Sequence, residues 1–408
     1  MIRPPSQYVG AFWLPAFPSE QLHGSLVVSD DGNLTLSGAG LLPHLVDRGF
    51  VVLLGEDESG RRLSLHDCQF LKTPDPNSTS VGPFVAGVGR AFVGAHFATI
   101  NDVRFKSMVL ELPGFLRWFA PNLVLDPDES TGDSVTVSLR GDRPTALKLE
   151  SGDAYVSLLT RGPFVASYRW GDDQEITVRY QGCLSIEFAE ERPEASFWEI
   201  AFRLQSFFAF WWGGVVDFAD HGGRGEAGRR RIGSEHEVED SIRIIDRRAR
   251  PLEQADTGKY VIGWFASFAE VQGQFALIWQ RWQALAVDHK EVLQLYLAVV
   301  FGEGRQYDIF QFLALAQALE IFHRSKLGGR YLGRSEFKTV LASLKSVLEG
   351  HEDAEFLKAA SSKLSFLNDL SLRTRIRALL DKHWSILAAR VGGETFVSEL
   401  VDTSGSLT

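Results

Sequence analysis

The chain has 408 residues, a formal net charge of −10, 45% hydrophobic residues and 23% charged residues. That length and apolar content supply two or three cores and exclude a disordered polypeptide. With only Cys68 and Cys183, set far apart, neither a disulfide framework nor a thiolate metal site is expected, and a reducing cytoplasm is the expected location.

The first half reads as β. "GSLVVSDDGNLTLSG" is two short apolar runs around Asp30-Asp31-Gly32, a hairpin signal, and "GFVVLLGEDESGRRLSLHDCQFL" repeats the device around Glu58-Ser59-Gly60. "SVTVSLRG", "TALKLES", "AYVSLLT" and "EITVRYQGCLSIEF" alternate polar and apolar residues over short lengths. Strands at this spacing predict an antiparallel sandwich or open barrel over residues 1–192. In "VAGVGRAFVGAHF" the positions Gly87, Gly89 and Gly94 do not form a dinucleotide fingerprint, and the strand-like setting points to bulges or turns. His66 and His96 read as hydrogen-bonded strand residues rather than metal ligands.

From about residue 194 the period changes. Phe197, Ile200, Ala201, Leu204, Phe207 and Phe208 recur at helical intervals and predict one broad apolar face. The Gly/Arg-rich text at 220–233 is expected as a surface loop or as the tip of a long hairpin leading to "SIRIIDRR". Helical text resumes in "VIGWFASFAEVQGQFALIWQRWQAL" and "VLQLYLAVVFG", so 193–304 is a mainly helical continuation of the first region. Its longest apolar run, 206–216, is shorter than the roughly 18 residues of a membrane helix, and the start "MIRPPSQYVG" carries no signal-peptide core, so no membrane partner is expected. Most aromatic residues fall on apolar stripes. Trp211-Trp212, beside two glycines and just before the Gly/Arg text, are the pair placed for exposure.

Residues 305–408 read as helix throughout. Gly302 and Gly304 end one helix, and Asp308 caps the next, whose apolar stripe is Phe312, Leu315, Ala316, Leu319 and Phe322. "SEFKTVLASLKSVL" with Ser335 as cap, "AEFLKAASSKLSFL", "SLRTRIRALLDKHWSILAARV" and "ETFVSELV" complete five short-linked helices. The predicted fold class is therefore α+β, a β-domain followed by helices and a compact helical bundle. This last segment carries a net charge of +2 against −12 for the rest, and Arg324, Lys326, Arg330 and Arg334 cluster within one stretch of it. Such a run permits contact with phosphates; a solvated face is its plainer reading.

Three segments of the bundle, "FLALAQALEIFHR" at 312–324, "NDLSLRTRIRALL" at 368–380 and "FVSELVDT" at 396–403, resemble the Apea-like HEPN domain of bacterial anti-phage proteins in order and spacing. "GAFWLP", "HGSLVV", "GRRLSLHDCQFL" and "FVGAHF" are similar to the ApeA N-terminal domain that precedes it. The resemblance implies a metal-independent RNA endoribonuclease with no cofactor, acting on RNA such as tRNA or a phage-triggered target, and built as a homodimer or dimer of dimers. It also implies a motif of Asp-Thr-Arg-Asn, three residues and His on the last helix, with Glu320 as the polar residue of the first. There a guanidinium would hold the scissile phosphate while an imidazole moves protons.

Against that motif this sequence reads Asp402-Thr403-Ser404-Gly405-Ser406-Leu407-Thr408, with Ser404 at the Arg position and Gly405 at the Asn position. The expectation is an incomplete motif, truncated at its catalytic helix, and impaired cleavage. Arg377 and His383 satisfy a loose substitute pattern, but at about 100° per residue they fall on different sides of a helix. The alternative is a non-catalytic module that senses a phage or nucleic-acid signal and dimerises. Glu320 and Arg324, one turn apart, are equally consistent with a surface i,i+4 pair.

Overall fold

The computed structural model describes residues 7–29, 32–40, 49–73, 81–119, 124–127, 137–140, 147–169, 175–218, 221–232, 236–246, 265–302, 308–348, 353–387, 395 and 397–399. It divides into two compact units, residues 1–279 and 280–408.

Strands β1 (Gln7–Trp13), β2 (Leu22–Val28), β3 (Leu34–Gly40), β4 (Val51–Asp57), β5 (Arg62–Lys72) and β6 (Gly82–Val88) pair antiparallel in the order β5-β4-β1-β2-β3-β6. β6 then pairs with β5, closing a barrel. Alternate residues point inward: Phe12, Leu26, Leu36, Leu53, Leu65 and Ala86 are wholly buried. The expected turn at Glu58-Ser59-Gly60 is present. Asp57 Oδ1 accepts from the backbone N–H groups of Ser59 and Arg61, both at 2.9 Å, and Gly60 takes φ +73°. The other expected turn falls at Asp30-Asp31, outside the described residues, and Gly32 beyond it has φ +79°.

Across three strands one transverse row of the barrel has no side chains, because Gly10, Gly24 and Gly38 lie in register on β1, β2 and β3. A Cβ at Gly38 would stand 2.1 Å from the His23 carbonyl oxygen, and one at Gly10 would stand 2.1 Å from that of Glu56. Adjacent backbones therefore occupy the space a side chain would need, which lets so few strands curl shut.

β7 (Arg90–Val93) continues from β6 through Gly89. Opposite the junction, Asp67 has φ +55°, and the Gly89 N–H reaches the His66 and Asp67 carbonyls at 3.2 and 3.3 Å. The extra residue here lies in β5, where Leu65 and Cys68 face Leu53 and Val51 of β4, and not in the glycine-rich text; past Gly89 the strand leaves the barrel for a second, open sheet. After β8 (Arg104–Glu111) come the short helix α1 (Phe115–Phe119) and a hairpin of β9 (Val124–Pro127) and β10 (Val137–Arg140). Then follow β11 (Leu147–Ser151), β12 (Ala154–Arg169), β13 (Glu175–Pro193), α2 (Glu194–Trp212), β14 (His221–Arg224), β15 (Arg229–Ile232), β16 (His236–Glu239) and β17 (Ile242–Asp246). The open sheet runs β11-β12-β13-β8-β14-β17-β7. Cys68 and Cys183 are both buried and form no disulfide, and burial pushes the Cys68 thiol up to about 12.

Helix α2 starts where the change of period placed it, and all six residues of its predicted stripe are buried. Phe197 packs on Phe105 and Phe188 of the sheet, and Gly213 ends the helix with φ +68°. At its other end Glu194 takes a hydrogen bond from Trp198 Nε1 at 2.7 Å and an ion pair from Arg90 at 2.6 Å, fastening the helix to β7. The Gly/Arg text is a long hairpin: β14 and β17 are its arms in the sheet, and β15 and β16 are its tip. Its arginines are partly neutralised there, since Arg229 lies across from Glu239 and 3.5 Å from Glu226, while Arg230 pairs with Asp240.

The expected exposure of Trp211-Trp212 is not found. Trp212 is 6% exposed, and Trp211 donates its indole N–H to the Ala266 carbonyl at 3.2 Å while stacking on Phe207. The aromatic cluster around Trp118, with Phe115, Phe208, Phe268 and Phe275, needs that face of α2, so packing outweighs exposure. Phe268 and Phe275 belong to α3 (Phe268–Val271) and α4 (Phe275–Asp288).

The second unit contains the end of α4 and then α5 (Lys290–Phe301), α6 (Asp308–Leu327), α7 (Arg334–Leu348), α8 (Ala354–Ser365) and α9 (Leu372–Leu387). Asp353 caps α8 by accepting from the N–H groups of Glu355 and Phe356. Ser335, expected as a cap, lies one residue inside α7. The α6 stripe also sits differently from its sequence pattern. Leu315 and Leu319 are each 37% exposed, whereas Ala316, Ala318 and His323 are buried. Small alanines bring a neighbouring backbone close, so the packed face is set by size rather than by the largest apolar residues.

Candidate nucleic-acid interface

The site begins where α6 stops. Gly328, at φ +77°, ends the helix, and the chain turns back through residues 329–333 into α7. The segment ahead of α9 holds this turn like a short piece of sheet. Arg330 and Asp369 form an antiparallel bridge, the Tyr331 N–H donates to the Asn368 carbonyl, and the Leu370 N–H donates to the Gly329 carbonyl, both at 2.9 Å. Asn368, 5% exposed, completes the join from its side chain. Its Oδ1 accepts from the Leu332 N–H at 2.7 Å, and its Nδ2 donates to the Leu332 carbonyl at 2.9 Å. Ser371 Oγ then accepts from the Thr374 N–H at 3.2 Å and starts α9.

Arg324, Gly328, Gly329, Arg330 and Asp369 line one open cleft of about 480 Å³. A Cβ at Gly329 would lie 3.1 Å from Arg324 Cγ, so the glycine makes room for the arginine to cross the turn. Arg324 also sits in the last turn of α6, where the helix dipole favours a cation. The structure thus brings together two of the four basic residues read from the sequence. Lys326, also in the last turn of α6, and Arg334, at the first position of α7, are exposed on either side of the turn.

One turn before Arg324 on α6, the cluster becomes buried. Arg375 on α9 folds back so that its Nε donates to the Leu370 carbonyl at 2.7 Å, while Nη1 stands 3.7 Å from Glu320 Oε1. The arginine side chain is 2% exposed and that of Glu320 33%. His323 is 1% exposed; burial first, and then the charge of Arg375, hold its imidazole below the usual histidine range. It is therefore neutral near pH 7. Glu320 is more than a surface partner of Arg324, because it is the counter-charge of a guanidinium removed from water. The Arg375/His323 pair itself is closed to a substrate the size of a nucleotide.

The remaining sequence candidates are scattered. Arg377 is exposed on α9, and His383 lies where α9 departs from helical geometry, at φ −117° and ψ 16°. No hydrogen bond or ion pair joins these two among the described residues. Ser404 and Gly405 lie outside the described residues. The segment leading toward them is anchored, since Val397, 3% exposed, packs on Ile376 and Leu380, and Arg373 donates to Ser398 Oγ at 3.4 Å.

Sequence reasoning assigned no role to Arg375, His323 or Asn368. A signal was present for Arg375: it falls on the same helical stripe as Leu372, Ile376 and Leu379, where a charged residue has to find a partner. Among the described residues no group of three His, Cys, Asp or Glu side chains is placed to hold a metal ion, and no helix is long and apolar enough to cross a membrane.

A closed barrel opening into a sheet, followed by an all-helical unit with a basic cleft, defines a two-part protein with a β-rich N-terminal half. The chain belongs to the ApeA N-terminal domain 1 family, whose family model matches residues 7–282, and it carries an Apea-like HEPN domain over residues 313–406. No curated protein and no solved structure matches it significantly.

Proposed function

We propose that this is an anti-phage defence protein of the ApeA type whose HEPN domain binds RNA at the Arg324–Arg330 cleft and is impaired in cleaving it. The convergence of these two arginines on one cleft is the observation that carries the reading. Guanidinium groups suit phosphate by geometry and permanent charge, and the open cleft has room for a phosphodiester backbone. Impairment rests on Ser404 at the family's arginine position, because a hydroxyl supplies no positive charge to a pentacoordinate phosphate. Arg375 and His323, which lie in electrostatic contact in the HEPN domain, are both buried and do not replace it.

Self-association through the HEPN domain belongs to the same reading. Phe310, Leu315 and Leu319 on α6, and Val340, Leu344 and Val347 on α7, are all at least 36% exposed. Apolar residues repeated along helix faces in this way favour burial against another copy.

Fluorescence anisotropy with a labelled single-stranded RNA tests the binding. Arg324→Ala and Arg330→Ala are each expected to weaken it and to lower the salt slope by about 0.7. Unchanged affinity in the double variant would refute the cleft. Incubation with total RNA in chelator tests the impairment: no products are expected, and products lost in His383→Ala would instead assign catalysis to Arg377 and His383.

A further inference from the structure

The cleft of Arg324 and Arg330 contains one group that a surface built only for phosphate would exclude, the carboxylate of Asp369. The backbone holds it there. Asp369 is the bridge partner of Arg330, its own N–H donates to the Phe366 carbonyl at 2.9 Å, and Asn368 and Leu370 on either side of it are each hydrogen-bonded to the turn. Asp369 is half-buried and both arginines are exposed, yet no ion pair joins it to either of them among the described residues. Its oxygens therefore face the cleft with their acceptor capacity intact. Between the arginines the floor is the backbone of Gly328 and Gly329, and a Cβ on Gly328 would meet no atom within 4 Å, so a flat ring can lie there. The volume of about 480 Å³ falls in the range of small-ligand pockets.

A carboxylate only accepts hydrogen bonds, and against a polyanion it repels unless the ligand turns donors toward it. Among the RNA bases guanine alone sets two donors side by side on its pairing edge, N1–H and the N2 amino group, spaced to meet both oxygens of one carboxylate. Adenine and cytosine place a bare ring nitrogen beside their amino group, where it opposes the second oxygen, and uracil offers one N–H between two carbonyls. The 2′-OH of an internal ribose supplies a single donor. Single-stranded RNA leaves these edges unpaired and free to be read.

We propose that the cleft holds one guanylate unit, with the pairing edge of the base on Asp369, the ring over Gly328 and Gly329, and the phosphate on Arg324 and Arg330. The inference rests on the RNA reading of this cleft and makes Asp369 the residue that selects guanine in a single strand. A free guanosine phosphate presents the same groups, and the test separates the two sources.

Fluorescence anisotropy of the full chain is measured with pentanucleotide RNAs, U-U-X-U-U, in which X carries guanine, hypoxanthine, adenine, cytosine or uracil. The guanine oligomer is expected to bind about tenfold tighter than the adenine, cytosine and uracil ones, the discrimination of one bidentate contact, with hypoxanthine, which lacks the N2 amino group, in between. Asp369→Asn exchanges one acceptor for a donor at constant shape and should bring the guanine preference below about twofold. The base series uses the unaltered protein and so holds even where the variant misfolds. Equal affinity across the series, in binding that Arg324→Ala and Arg330→Ala still weaken, overturns the guanine assignment and leaves the RNA reading standing. A guanine preference that survives in folded Asp369→Asn protein also overturns it. If no oligomer binds, the RNA reading has failed, and calorimetric titration with 5′-GMP and 5′-AMP decides the rest. Preference for GMP by about tenfold assigns the cleft to a free nucleotide, and no preference at up to about 10 mM overturns the proposal.

Discussion

Arg375 Nη1 stands 3.7 Å from Glu320 Oε1 with the guanidinium almost wholly out of water, so the two central helices of the HEPN unit are joined through a charge that has no other counter-ion among the described residues. Removing the carboxylate strands the cation. Glu320→Gln is expected to destabilise the unit by about 1–3 kcal/mol, less than for a fully enclosed pair because a third of the Glu320 side chain meets solvent. In an Arg375→Met background the same change should cost little, and urea denaturation of the four-protein cycle measures the difference. Equal costs in both backgrounds would show that the pair does not couple.

Stability should fall on mild acidification. Burial holds the imidazoles of His66 and His323 below their ordinary value, against an unfolded value of about 6.5. Below that pH the unfolded chain takes up protons that the folded chain refuses, so the unfolding free energy declines as pH drops. It is fully present above about pH 6.5, and His66→Gln together with His323→Gln should flatten the decline. Thermal midpoints between pH 7 and 5 give the answer.

The glycine row should tolerate nothing larger. Gly38→Val places its Cβ 2.1 Å from the His23 carbonyl oxygen and 2.6 Å from the Gly24 Cα, so a strand must move. The expected loss is about 3 kcal/mol or more, with insoluble expression as its extreme. Gly273→Ala, where no atom lies within 4 Å of the added carbon, is the matched control and should fold normally.

Asn368 offers a way to disturb the RNA cleft without touching a charge. Asn368→Ala leaves the Leu332 N–H and carbonyl without their partner and should cost about 2–4 kcal/mol in the bundle. Because the turn it holds carries Arg330, hydrogen exchange at residues 329–333 should quicken and RNA affinity should drop. Asn368→Asp keeps the acceptor but sets a buried carboxylate oxygen against the Leu332 carbonyl, and should cost at least as much as alanine.

Local pattern made much of this protein legible. Period-2 runs with turn residues between them gave the strands, and the stripe from Phe197 to Phe208 gave α2, because alternation and helical spacing are properties of consecutive residues. The resemblance reached the correct family from segments dispersed along the chain. Closure of the barrel, the passage of β7 into a second sheet at Gly89, and the burial of Trp212 were not legible, since each depends on strands or helices far apart in sequence.

The candidate site divides along the same line. Composition alone marked residues 324–334 as basic, and the residues at 404 and 405 were plain to read. Only the folded chain decided that Arg324 and Arg330 share a cleft and that Glu320 serves Arg375. The physical reason is reach. Backbone propensity and periodicity act within about one turn or one strand, whereas a charge chooses its partner by distance in space, and that distance exists only after the long-range pairings have formed.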